Sequence, residues 1–117
     1  MSYNEIEKVQ NEMLRFELNN GRKPSVAMMG LAFKPDIDDL RESPAKHIVA
    51  KVMQSCNNAD IMVVEPNVES HNVYKLTDYK EAFEKADIVV YLVAHTPFKA
   101  LPKDSNKIIL DFCGVER

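Results

Sequence analysis

The chain has no tryptophan, three glycines and two cysteines in 117 residues. With so few glycines it carries neither a GxGxxG dinucleotide fingerprint nor a phosphate-cradling P-loop, because both need glycine wherever the backbone closes on a phosphate. Cys56 and Cys113 lie far apart with no CxxC around either, so no secreted disulfide framework is indicated. A basic excess is also missing. The formal net charge is −3, which argues against a nucleic-acid or anionic-membrane partner held by bulk charge. No apolar run approaches the roughly 18 residues of a membrane span. Residues 1–16 are charged and helical in pattern, unlike a signal peptide. There is no internal repeat and no low-complexity stretch. What is left is one cytoplasmic domain of ordinary composition, long enough to bury roughly two thirds of its unfolded surface.

The apolar residues are spaced as in an α/β domain. Ile6, Val9, Met13 and Phe16 recur at three- and four-residue steps, the stripe of an amphipathic helix, which Asn19-Asn20-Gly21 stops before Pro24. That stripe needs a partner, expected in another domain or subunit. Residues 25–30 read as a buried strand ending in glycine. A long polar loop follows, and then Ser43 and Pro44 open a second helix as N-cap and first helical residue. Ala45, Ile48, Val49, Val52 and Met53 line one face of it. Residues 61–64 form a second strand, 73–76 a weak third and 79–85 a short helix. Residues 88–93 form the strongest strand, followed by a turn at 97–101 and a last strand at 107–110. This order predicts a doubly wound, largely parallel sheet. Ligands of such sheets bind beyond the carboxyl ends of the strands. That directs attention to residues 31–43, 65–67, 94–98 and 111–114.

Within those segments, the loop from Gly30 to Pro44 leads into a helix N-terminus, where an anion is favoured. Lys34 adds a point charge and Arg41 a planar fork suited to phosphate. The alternative is a solvated loop whose cations pair with Asp36, Asp38 and Asp39. A calcium loop starting at Asp36 would need glycine at its sixth position and glutamate at its twelfth, where Arg41 and His47 stand. His47, His71 and His95 lack metal-ligand spacing. His47 is expected on an exposed helix face and His71 in a loop, while His95 follows the strongest strand and is a candidate for the cleft. Neither cysteine occupies a position that would activate a thiol.

The segment Gly-Leu-Ala-Phe-Lys-Pro-Asp-Ile-Asp-Asp-Leu-Arg-Glu-Ser-Pro-Ala, residues 30 to 45, resembles the signature of the C-terminal, UDP-binding domain of the UDP-glucose/GDP-mannose dehydrogenase family. The Phe-Lys pair, the arginine seven residues after the lysine and the Glu-Ser that follows it carry the likeness. It continues through Val-Val-Glu-Pro-Asn (63 to 67), Ala-Asp-Ile-Val-Val (86 to 90), His95 with Phe98-Lys99, and Leu-Asp-x-x-Gly-Val (110 to 115).

The resemblance implies a Rossmann-like three-layer α/β/α sandwich over residues 23–117, with residues 1–22 as the end of a central connecting helix. It implies an enzyme that oxidises a sugar primary alcohol to a carboxylate with NAD, as a homodimer, for polysaccharide synthesis. The cofactor loop and catalytic cysteine of that enzyme are not in this sequence, so the chain is expected to be an inactive C-terminal piece. Phe33 and Lys34 would contact the UDP-sugar, and Arg41 would reach the NAD phosphates. The family usually carries Arg or Lys where Cys113 stands, which makes Cys113 a second candidate for the cleft. The competing reading is a stand-alone ligand-sensing or interaction module of the same fold. A receiver domain is disfavoured, since Met28-Met29-Gly30 supplies no acidic pair after the first strand.

Overall fold

The structure is a computed structural model and describes residues 2–32, 36, 43–55, 60–68, 75–101 and 107–115. Among them four parallel strands form one sheet: β1 (Ser25–Met29), β2 (Asp60–Val64), β3 (Ile88–Tyr91) and β4 (Ile108–Asp111), in the order β2-β1-β3-β4. Among the described residues three α-helices cover it: α1 (Ser2–Asn20), α2 (Pro44–Ser55) and α3 (Tyr79–Lys85). A 3-10 helix, Thr96–Ala100, follows β3.

Strand side chains alternate between faces, and the two halves of the core follow that alternation. Val26, Met28, Val63, Ile88 and Val90 face α1 and α2, meeting Val9, Met13, Ile48, Val49 and Val52. Ala27, Met29, Val64, Val89 and Tyr91 face the other way, meeting Ala82, Phe83 and Phe98. The result is a three-layer sandwich. Strands covered on both faces read as continuous apolar runs, as β1 and β3 do.

Local chemistry sets the helix ends. Ser43 caps α2, its Oγ accepting from the Lys46 N–H at 3.4 Å, while Pro44 occupies the first helical position. Asp78 caps α3 by accepting from the N–H groups of Lys80 and Glu81. Gly21, at φ 69°, closes α1 with its N–H on the Glu17 carbonyl.

Three expectations change. The α1 stripe is covered by this chain's own α2 and sheet, because Ile6, Val9 and Met13 enter the same core as β1 and β3. β3 stops at Tyr91, two residues early. The next two N–H groups, of Leu92 and Val93, converge on the single carbonyl of Met29, which ends the ladder. Of the weak strand at 73–76, only Leu76 pairs among the described residues, in one parallel bridge to Val63; positions 73 and 74 lie outside them.

The ends of β1 and β3 approach so closely that Gly30 has no room for a side chain. Its φ is 108°, and a Cβ there would lie 2.8 Å from Val93 Cβ and 3.1 Å from the Val93 backbone nitrogen. Gly30→Ala is therefore expected to lose about 2–4 kcal/mol of stability, from unfavourable φ plus overpacking. Urea unfolding measures it; a loss under about 1 kcal/mol would mean that the strand ends part freely.

Candidate functional site at the carboxyl edge of the sheet

From β1 the chain crosses over α2 to β2 on one side, and from β2 over α3 to β3 on the other. The strand order therefore reverses direction about β1, and the crevice between the carboxyl ends of β1 and β3 is the switch point where such folds bind ligands. A cavity of about 240 Å³ lies there, lined by Ala32, Pro44, Ala45, Leu92, Val93, Ala94 and Cys113. The N-terminus of α2 borders it through Pro44 and Ala45, so the positive end of a 12-residue helix is directed at this edge. Two larger grooves, of about 560 and 340 Å³, run along α1 and share Gln10 and Ser55, and one of about 280 Å³ lies beyond β2, between Glu65, Pro66 and the start of α3 at Asp78 and Tyr79.

Behind the cavity the backbone is organised by one buried carboxylate. Glu65, the residue after β2, is 2 % exposed. Its Oε1 accepts from the backbone N–H groups of Leu31 (2.8 Å) and Ala32 (2.9 Å) and lies 2.9 Å from His95 Nε2. Its Oε2 accepts from the Asn67 N–H at 3.0 Å. Burial pushes the Glu65 carboxyl up, but the hydrogen bonds from His95, Leu31 and Asn67 outweigh it and hold the group below its ordinary 4.5.

His95 is fully buried, with its ring edge-on to Phe98 at 5.4 Å between centroids. Its Nδ1 accepts from the Asp36 backbone N–H at 2.8 Å. A backbone N–H can only donate, so Nδ1 carries no proton in this arrangement, and the ring proton is assigned to Nε2, facing Glu65. Asn67 Nδ2 also reaches Nδ1, at 3.1 Å. Asp36 has a left-handed φ of 60°. Its carboxylate accepts from the Thr96 N–H (2.7 Å) and the Thr96 hydroxyl (2.6 Å), and these bonds lower its pKa, the hydroxyl contributing most.

The first turn after β1 bears on the cofactor that the resemblance implies. In a dinucleotide fold the backbone N–H groups at this turn receive the pyrophosphate. Here Gly30 N–H goes to the Val64 carbonyl, and the N–H groups of Leu31 and Ala32 go to Glu65. The carboxylate takes the donors a dinucleotide would need, so these residues do not fit NAD in that position.

Two candidate residues from the sequence lie within this region. Cys113 lines the cavity as a half-buried thiol pushed up to about 12, by burial first and then by Asp111. Asp111 Oδ1 collects the N–H groups of Cys113, Gly114 and Val115, which turns the chain at Gly114 (φ 88°) and buries Val115. His95 turns no ring nitrogen toward the cavity, since both are engaged. Among the described residues Asp36 bonds to Thr96 and His95; the loop cations expected to pair with it, Lys34 and Arg41, lie outside them. His47 is exposed on α2, as expected. Phe33, Lys34, Asp38, Asp39, Arg41, Cys56 and His71 lie outside the described residues. Glu65 falls in the segment 65–67 to which the sequence directs attention, but the sequence assigns it no role; its signal is a carboxylate directly after a buried strand, followed by proline.

A parallel sheet of this order, covered on both faces and open at its switch point, defines a Rossmann-like α/β domain. The chain belongs to the UDP-glucose/GDP-mannose dehydrogenase family: the model of that family's UDP-binding domain matches residues 27–115. It is 43% identical over 97 residues to UDP-N-acetyl-D-mannosamine dehydrogenase of Campylobacter jejuni, covering 77% of this chain and 23% of the relative. The enzyme of that name from Yersinia pestis is 46% identical over 99 residues, covering 79% and 23%. The chain thus spans about a quarter of the length of these curated relatives. A solved UDP-D-ManNAc dehydrogenase from Pyrococcus horikoshii superposes with a TM-score of 0.67 at 25% identity, over 92% of this chain and 27% of that one.

Two measurements test this geometry. A folded-state pKa held below 4.5 means that Glu65 contributes stability present above the unfolded value and lost as pH falls through the folded one. Glu65→Gln should be less stable by about 1–3 kcal/mol at neutral pH, and the gap to the unaltered protein should shrink as the pH falls below 4.5. A gap independent of pH would mean that the carboxylate is not charged in the fold. With its thiol pushed up to about 12, Cys113 should alkylate at least about 100-fold more slowly than a free cysteine near pH 8. Peptide mapping after iodoacetamide treatment reads that rate separately from Cys56.

Proposed function

We propose that this chain is the nucleotide-sugar-binding domain of an NAD-dependent dehydrogenase that oxidises the primary alcohol of UDP-N-acetyl-D-mannosamine to a carboxylate. The observation that carries the reading is the cavity at the switch point, bordered by the α2 N-terminus, in a chain of this family. The names of the relatives from Campylobacter and Yersinia support the choice of sugar. In this reading the diphosphate of the sugar nucleotide lies at the positive end of α2. Phe33 covers an apolar face of the ligand, and Lys34 neutralises one of its oxygens. Cys113 lines the same cavity with a neutral thiol, so it adds shape and no charge.

NAD belongs to a different part of the whole enzyme, because Glu65 uses the N–H groups a dinucleotide would need here. When bound, the cofactor supplies hydride acceptance. Arg41 is the residue of this chain that would reach its phosphates. The whole enzyme is read as a cytoplasmic homodimer serving polysaccharide synthesis.

Calorimetric titration of the chain with UDP tests the reading, with and without Lys34→Ala. Binding is expected, weakened about tenfold or more by the substitution, since a hydrogen bond to a charged group contributes about 1.5–3 kcal/mol. The melting temperature should barely change. Equal affinities in the two proteins would return Lys34 to a solvated loop, where an ion pair is worth about 0–1 kcal/mol.

A further inference from the structure

Neither Glu65 nor His95 lines the cavity beside Cys113, yet they hold the backbone on both sides, in sequence, of Phe33 and Lys34. On the N-terminal side, Leu31 and Ala32 donate to Glu65 at 2.8 and 2.9 Å, and the Ala32 carbonyl accepts from the Ser43 hydroxyl at 3.2 Å. On the C-terminal side, Asp36 donates to His95 Nδ1 at 2.8 Å and returns two hydrogen bonds to Thr96 through its carboxylate. Glu65 and His95 are joined to each other at 2.9 Å. One buried pair therefore fixes Ala32 and Asp36 relative to one another, at the ends of a stretch that holds residues 33–35 in sequence.

We infer that Glu65 and His95 are positioning residues for the nucleotide-binding loop: the buried pair sets ligand affinity by fixing the backbone at Ala32 and Asp36. The inference rests on the nucleotide reading above. The two ring nitrogens do different work. Nε2 satisfies the carboxylate, which keeps the core intact. Nδ1 receives Asp36, which holds the far side of the loop. His95 stands four residues after β3, just before the 3-10 helix, and packs on Phe98, itself packed on Tyr91 and Tyr79, which opposes a swing of the ring after a displaced Asp36.

Two amide substitutions separate the two roles. His95→Asn places an acceptor near the Nδ1 position and leaves Glu65 without its side-chain donor. His95→Gln places a donor near the Nε2 position and leaves the Asp36 N–H without its acceptor. A purely structural histidine predicts that UDP affinity tracks melting temperature across the pair, so that the more stable variant binds better. The positioning role predicts opposite orders: His95→Gln melts higher of the two but binds UDP at least about fivefold more weakly than His95→Asn.

Amide hydrogen exchange on the ligand-free chain gives a second readout. Exchange of Asp36 should accelerate at least about tenfold in His95→Gln relative to His95→Asn, while Leu31 and Ala32 stay protected in His95→Gln. The inference is overturned if Asp36 exchanges alike in the two variants, or if UDP affinity follows melting temperature. If the unaltered chain binds no UDP, the nucleotide reading itself falls and takes the inference with it. That outcome is distinct, because it appears in the protein with His95 intact.

Discussion

A carboxylate moved out of water must find donors inside the protein, and Glu65 finds them on three segments. Leu31 and Ala32 follow β1, Asn67 follows Glu65 itself in the turn after β2, and His95 follows β3. Sheet pairing alone fixes those strands only as far as Met29, Val64 and Tyr91. Beyond that edge the backbone groups lose their ladder partners and would otherwise turn to water. By collecting them on one charge, Glu65 extends the order of the sheet into the loops. Hydrogen bonds to a charged group are stronger than neutral ones, and leaving such a group buried without them is heavily destabilising. The arrangement is thus strongly favoured once formed and strongly penalised if any partner is lost.

The same carboxylate separates this domain from a dinucleotide-binding domain of related topology. Both have a parallel sheet, a switch point and a helix N-terminus at its crevice. A glycine-rich turn leaves backbone N–H groups free for pyrophosphate. Here an internal anion holds them, and Gly30, packed against Val93, admits no Cβ. The free volume lies instead between Ala32, the start of α2, and Cys113. The ligand crevice is kept, and the donors at its base are committed to structure.

Much of the architecture was legible because it depends on short-range chemistry. The spacing of Ala45, Ile48, Val49 and Val52 placed one face of α2, and Ser43-Pro44 placed its start. Residues 79–85 read as a helix and were one, with Asp78 supplying the cap. The all-apolar run at 88–93 identified the central strand but not its end, because β3 ends where Leu92 and Val93 share one carbonyl on another strand. The stripe of α1 was legible as a stripe; its partner was not. A contact that joins residues 45 positions apart, such as the hydrogen bond from Gln10 to Ser55 (2.7 Å), leaves no local trace. Leu14 and Leu18, off the buried stripe, remain 57 and 76 % exposed.

The chain's family, its alternating-layer order and the edge of the sheet that holds the candidate site were determined by the sequence itself, because each rests on residue identity at fixed spacing. Only the tertiary structure decided what Glu65, His95 and Asp36 do. In the sequence they are three polar residues separated by about 30 positions from one to the next, and His95 read as a candidate for the cleft. Folding brings the ends of β1, β2 and β3 within a hydrogen bond of each other and excludes water from the space between them. In that dry space a carboxylate, an imidazole and a few backbone N–H groups must satisfy one another. That requirement, and no feature of the three residues taken singly, turns His95 inward and binds the two sides of the loop together.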